Sequence, residues 1–365
     1  MKRIVIKVGT STLTQGSGPP DESYINDLAD QIAALARTGA GVILVTSGSI
    51  RAGMAALDLP GRPKTIPQKQ AAAAVGQGLL MQTYAHAFAR NGLSVGQILL
   101  TREDLRDRTR YLNARNTFTA LLKYGAVPIV NENDTVAVEE IKFGDNDTLA
   151  ALVGSLVEAT HVLLLSDVDG LYDKDPREHA DAKHIAVIER VDSSVERLGG
   201  GVRSNVGTGG MTTKIGAARI CASAGMHMTI ADGRRPNVVQ DALAGRCGTL
   251  FMPDANPLRQ RQRWIAFGQE PRGLIEVNDG ARHHVLEGGK SLLPAGILSV
   301  TGEFRAGEMV GLVDPEGKRF ARGFVNYGHE QVALIKGRRS SEIQKILGQK
   351  TYDEVVHRDN LVLDI

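Results

Sequence analysis

The chain has 365 residues, 42% of them hydrophobic and 23% charged, and a formal net charge of +2. That is ordinary globular composition with room for two domains and a sizeable core, and near-neutrality argues against nucleic-acid or membrane binding driven by bulk charge. The two cysteines, Cys221 and Cys247, lie far apart with no metal-spaced neighbours, which argues against a disulfide framework or a zinc site and fits reduced thiols in a cytoplasmic protein.

The opening run Ile4–Val8 is too short for a signal peptide and is interrupted by Lys7, and no apolar stretch reaches membrane-spanning length. The run reads as a buried strand ending in the turn Gly9-Thr10-Ser11. Helical spacing follows over Asp21–Arg37, then a second strand, Val42–Thr46, that ends in Ser47-Gly48-Ser49. Pro67–Arg90 reads as a long helix. Val95–Leu100, Val127–Asn131, Val162–Ser166 and His227–Ala231 read as further buried strands. Continuous apolar strands alternating with helices predict a parallel sheet covered on both faces, so residues 1–258 are expected to form a three-layer αβα sandwich.

Residues 259–272 read as a linker. From 273 to 350 the texture changes to short strands punctuated by glycine (Leu274–Val277, Gly296–Val300, Met309–Val313, Phe320–Asn326 and Val332–Ile335), with turns at Asp279-Gly280 and Glu316-Gly317 and one helix, Ser340–Leu347. This predicts a small, mainly β barrel, and 351–365 reads as a C-terminal tail.

Ligands of open parallel sheets bind at loops leaving the carboxyl ends of strands, which directs attention to five segments. Two common nucleotide motifs fail first. Gly289-Lys290-Ser291 has His284 where a phosphate-loop glycine belongs, and Gly207-Thr208-Gly209 has Thr212 in place of the last glycine of a dinucleotide fingerprint. The loop Gly207–Lys214 still suits a phosphate cradle. Its glycines open backbone N–H groups to an anion, Thr212 or Thr213 is placed to cap a helix over Lys214–Ala224, and Lys214 adds charge. As a glycine-rich loop alone it reads equally well as a surface loop. Lys7 in a buried strand is costly without a partner, and together with Lys214 it could stabilise a transferring phosphoryl group; an edge strand facing solvent is the other reading. Ser47 and the helix N-terminus at a strand-to-helix turn could hold a carboxylate, and an ordinary capped turn is the other reading. Asn131-Glu132-Asn133-Asp134 and Gly144-Asp145-Asn146-Asp147 could be solvated turns, yet both fall at ligand loops. There Asp134 and Asn146 could bind an ammonium or amide of a substrate and Asp147 could orient a lysine or a metal-bound water. Ser166-Asp167 closes a buried strand in a polar turn suited to a base or ribose, and a plain β-turn at Asp169-Gly170 is the other reading.

With Ile6–Ser11, Val45–Gly48, Lys69–Gln77, Leu112–Arg115, Val130–Asp134, Gly144–Asp147 and Gly207–Lys214 taken together, the chain resembles the amino acid kinase family, and within it the members that phosphorylate glutamate. Residues 273–350, with Ser291–Gly296, resemble a PUA domain. The resemblance implies ATP contacts at Lys7, Ser166, Asp167, Thr208, Gly209, Gly210, Met211, Thr212, Thr213 and Lys214, and L-glutamate contacts at Ser47, Asp134 and Asn146. It further implies catalysis by Lys7 and Lys214 with Asp147 organising them, and Mg2+ carried on the phosphates. It also implies the first step of proline synthesis, proline as feedback inhibitor, a homo-oligomer, and a glutamyl phosphate reductase downstream. RNA binding by the small domain is not favoured by charge: 273–350 holds 11 Lys and Arg against 9 Asp and Glu, thin for a phosphate-backbone footprint.

Overall fold

Ile4, Ile6 and Val8 project from one face of the first strand and Val5 and Lys7 from the other, the period-two alternation of extended chain. The first three join the main apolar cluster, so Lys7 is left on the opposite face. The computed structural model describes residues 2–14, 18–136, 146–199, 210–255, 257 and 271–364. The chain divides into two units, 1–257 and 258–365.

The first unit enters its sheet with β1 (Arg3–Val8), β2 (Gly41–Val45), β3 (Val95–Leu100), β4 (Val127–Glu132) and β5 (His161–Ser166). A two-stranded ribbon of β6 (Leu171–Tyr172) and β7 (His184–Ile185) intervenes. Then β8 (Val187–Ile188), β9 (His227–Asp232) and β10 (Thr249–Phe251) complete the sheet. The order is β3-β4-β2-β1-β5-β9-β10-β8, with every pair parallel except β9 with β10. The chain builds outward from β1 through β2 toward β3, then restarts on its other side with β5. The crevice above β1 and β5 is therefore the topological switch point, where ligands of such sheets bind.

Helices cover both faces. On one, α1 (Glu22–Arg37) presents Ile25, Leu28 and Ile32, and its first turn is capped by Asp21 accepting from the backbone N–H groups of Ser23 and Tyr24. The short α2 (Ser49–Ala56) lies against α3 (Ile66–Ala89), which adds Leu80, Tyr84 and Phe88 to the same cluster; α4 (Arg108–Lys123) packs on β4. The connection from β4 to β5 must cross β2 and β1, and α5 (Asn146–Leu156) makes that crossing, touching β4, β2, β1 and β5. Its first turn therefore sits over the carboxyl end of β1, on the face from which Lys7 projects. α6 (Met211–Ser223) packs on α5, and α7 (Val238–Leu243) lies near β9 and α1. This is the three-layer αβα sandwich expected.

The second unit is a five-stranded mixed sheet. Its strands are β11 (Gly273–Val277), β12 (Ile297–Gly302), β13 (Met309–Val313), β14 (Arg319–Val325) and β15 (Val356–Leu363), ordered β12-β11-β13-β14-β15 around a core that includes Ile275, Leu312, Ala321 and Val332. Three local expectations are corrected here. Asp279-Gly280 does not turn; it opens α8 (Asp279–Leu286), because the Asn278 side chain accepts from the Ala281 N–H at 2.8 Å and caps a helix. Val332–Ile335 is the end of α9 (His329–Ile335), not a strand; Val332 and Ile335 are buried three residues apart on one helix face, a spacing that four apolar residues in a row cannot reveal. Residues 351–365 are no tail, since β15 pairs antiparallel with β14 and buries Val356, Leu361 and Val362. Among the described residues no helix is long and apolar enough to cross a membrane. The expected linker, apart from Pro271 and Arg272, lies outside the described residues.

Candidate active site

The carboxylate of Asp147 is the centre of the site. It stands in the first turn of α5, 1% exposed, and holds two ammonium groups: Lys7 Nζ at 2.5 Å from Oδ1 and Lys214 Nζ at 3.1 Å from Oδ2. The Thr213 hydroxyl also donates to Oδ2 at 3.1 Å. Lys7 comes from the end of β1 and Lys214 from the first turns of α6, and both are buried. Burial opposes ionisation of Asp147, but the charges and hydrogen bonds of the two lysines outweigh it and hold the carboxyl well below its usual range. Two cations against one anion leave the cluster with a net charge of +1, at the switch point, next to the Gly9 turn. A buried positive excess of this kind is a place built for an anion.

The second half of the site is made of amides and hydroxyls. The Asn146 Nδ2 group donates to the Thr46 carbonyl at 2.7 Å, to the Ser47 hydroxyl at 2.9 Å and to Asn131 Oδ1 at 3.0 Å. Its own Oδ1 is buried with no hydrogen-bond partner among the described residues. Asn131 donates in turn to Gln77 Oε1 at 2.8 Å. Ser49 donates to Asp134 at 2.8 Å. Burial pushes the Asp134 carboxyl up, with the Ser49 hydrogen bond opposing it. A desolvated carboxylate and an unsatisfied carbonyl both attract an ammonium group.

Backbone packing aims these hydroxyls. Gly48 adopts φ +98° before α2, and a Cβ on Gly53 would lie 1.8 Å from the Ala72 carbonyl oxygen. A Cβ on Gly76 would lie 1.8 Å from the Ser49 carbonyl oxygen. Both glycines are needed for α2 to rest directly on α3, and that contact fixes where Ser49 points.

The structure thus brings together Lys7, Asp147, Lys214 and Thr213 in one cluster and Ser47 and Asn146 in another, with Asp134 bound to Ser49, two residues beyond Ser47. Ser166 ends β5, beside β1, and donates its hydroxyl at 3.1 Å to Asp167, the residue that follows the strand. The expected helix cap is corrected: α6 starts at Met211 with Gly210 as its N-cap and no side-chain cap, so Met211, Thr212 and Thr213 form its first turn. Thr208 and Gly209 lie outside the described residues. Sequence reasoning assigned no role to Thr46, Ser49, Gln77 or Asn131. The signal for the last two was their place inside the motifs Lys69–Gln77 and Val130–Asp134.

Comparisons with known proteins show the family. The amino acid kinase family pattern matches residues 2–232 and the PUA domain pattern residues 273–347. The chain belongs to the amino acid kinase family. It is 52% identical over 362 residues to the glutamate 5-kinase of Caldanaerobacter subterraneus subsp. tengcongensis, covering 99% of this chain and 97% of that protein. It is 50% identical over 364 residues to the glutamate 5-kinase of Syntrophotalea carbinolica, covering 100% of this chain and 97% of that one. In fold it is similar to a carbamate kinase from Giardia lamblia bound to AMP-PNP, at 15% identity and TM-score 0.50, over 69% of this chain and 99% of that structure.

Proposed function

We infer that the chain is an ATP-dependent kinase that phosphorylates the side-chain carboxylate of L-glutamate, giving L-glutamyl 5-phosphate and ADP, the first step of proline synthesis. The observation that carries this reading is the buried Lys7–Asp147–Lys214 cluster with its net positive charge, with the buried Asn146 carbonyl, partnerless among the described residues, one residue before Asp147.

The acceptor needs no general base. A glutamate carboxylate has a pKa near 4.3 and is already an anionic nucleophile at neutral pH. The obstacle is repulsion between two anions, and Lys7 and Lys214 reduce it by standing where charge develops on the transferring group. Asp147 keeps both ammonium groups apart and aimed. Ser166, Asp167 and residues Thr208–Lys214 are assigned to ATP, and Ser47, Asp134 and Asn146 to glutamate. Asp147 is bound to both lysines, and by the resemblance Mg2+ would be held mainly by phosphate oxygens and water, where it would neutralise phosphate charge. By the same resemblance, residues 1–258 carry catalysis and 273–350 are an accessory PUA domain. The setting is cytoplasmic, the enzyme is a homo-oligomer, proline acts as feedback inhibitor, and a glutamyl phosphate reductase consumes the labile product.

The test is chemical trapping. With ATP, Mg2+, L-glutamate and hydroxylamine the protein should form the 5-hydroxamate of glutamate in step with ADP. ADP release without hydroxamate would defeat the assignment.

A further inference from the structure

Gln77, on the long helix α3, touches neither lysine, yet it ends a directed chain of three amides. The direction is fixed by two backbone groups. The Thr46 carbonyl can only accept, so Asn146 must turn its –NH2 toward it, at 2.7 Å. The backbone N–H of Glu132 can only donate, and it reaches Asn131 Oδ1 at 2.9 Å. Asn131 therefore accepts from Asn146 through Oδ1 and has its –NH2 left for Gln77 Oε1, at 2.8 Å. The ends of the chain are unsatisfied and complementary: Asn146 Oδ1 is a buried acceptor without a partner among the described residues, and Gln77 Nε2 a buried donor without one. Hydrogen bonds in such a series polarise one another.

We propose that Gln77 is a positioning residue for substrate recognition: by accepting from Asn131 it anchors the side chain that in turn accepts from Asn146, so that Asn146 holds its carbonyl toward the α-ammonium of the amino-acid substrate. The proposal rests on the glutamate reading and adds to it the residue that keeps the pocket selective for an α-amino acid. Without the Gln77 acceptor the backbone groups still set the direction of the relay, but Asn131 loses its anchor and Asn146 holds its carbonyl less firmly on an ammonium group, a loss that a bare methylene does not feel.

Two substitutions separate the relay from mere packing. Gln77→Glu keeps an acceptor for Asn131, loses the Nε2 donor and adds an ionisable carboxyl group, so its rates are measured across pH to separate the acceptor from the charge. Gln77→Met keeps the volume and loses the acceptor. Initial rates are measured with saturating ATP against L-glutamate and against glutarate, the same diacid without the amino group, and ATP KM and melting temperature are recorded for each protein. The expected result for Gln77→Met is a KM for glutamate raised about tenfold, the scale of one lost orienting hydrogen bond, with a similar fall in the preference for glutamate over glutarate. Its kcat and its KM for ATP should stay within about twofold, below the energy of any single hydrogen bond. Gln77→Glu should restore glutamate KM to within about threefold of the unsubstituted enzyme by the same measure. If Gln77→Met does not fold, Gln77→Ala takes its place. An unchanged glutamate KM and glutarate discrimination in the variant lacking the acceptor would overturn the proposal, as would a Gln77→Glu enzyme as impaired as Gln77→Met. A wild-type enzyme that prefers a different acid fails the glutamate reading itself, a result visible before any variant is made.

Discussion

Asp147 has two lysines to satisfy, and removing either partner has different consequences. Lys214→Ala leaves Asp147 neutralised by Lys7, so the fold should survive with a small change in melting temperature. The loss falls on turnover: kcat should drop about 10²–10³-fold, the usual weight of one preorganised charge on a developing anion, with glutamate KM little changed. Steady-state rates for the purified variant check this. Asp147→Ala instead leaves two buried ammonium groups facing each other, and breaking a buried ionic cluster in this way costs about 3–5 kcal/mol, read as a fall in denaturation midpoint together with lost activity. The acid limb of stability should also report this residue. Its folded pKa lies below the ordinary 3.8, so its contribution is complete above that pH and fades as pH falls beneath it.

The elements that frame the site make their own predictions. α2 and α3 touch through Gly53 and Gly76, and Gly76→Ala forces a methyl against the Ser49 carbonyl. We expect a cost of about 1–3 kcal/mol from overpacking and, because Ser49 holds Asp134, a raised KM for glutamate. Gly78→Ala, whose added Cβ would meet nothing within 4 Å, serves as the control and should be neutral or stabilising. At the far, amino end of the sheet, the rings of His161 (β5) and His227 (β9) stack 5.9 Å apart and His161 bonds to Thr229. Burial, with smaller repulsion from His227 and Lys2, pushes His161 down to about 4. The unfolded chain then binds the extra proton between roughly pH 4 and its ordinary value of 6.5, so stability should rise across that window by up to about 3 kcal/mol and then level off. In His161→Asn, chemical denaturation at stepped pH should show a flatter curve. Much of this frame was legible beforehand: β1, β2, β4 and β5 stand out as apolar runs, and Lys7 as the oddity in the first. The meeting of Lys7 with Asp147 was legible only through the family motifs, since it depends on α5 crossing the sheet and no local pattern encodes that path. The glycine contact between α2 and α3 carried no signal at all, because a glycine inside a helix looks the same whether or not another backbone lies against it.

At the scale of the molecule, every residue assigned to chemistry falls in the first unit, between Lys7 and Lys214, while the second has its own sheet and core. Leu361→Asp, in β15, should therefore lower the unfolding transition of the small unit and leave glutamate turnover within about twofold, as expected for a substitution in a separate core; calorimetry and rates on the same sample test both halves. The small unit was read less well than the large one. Its helices are short, Asn278 looks like a turn residue until its cap is seen, and β15 follows a polar stretch that resembles the start of a tail. The most direct test of the central claim is a comparison of kcat/KM with ATP for L-glutamate, L-aspartate, N-acetyl-L-glutamate, carbamate and UMP. Substrates without a free α-ammonium leave Asp134 and Asn146 unpaired, and L-aspartate, one methylene shorter, cannot bring its side-chain carboxylate to the phosphoryl group while its ammonium is held, so L-glutamate should be favoured by about 100-fold or more. A preference for any of the others would contradict the account.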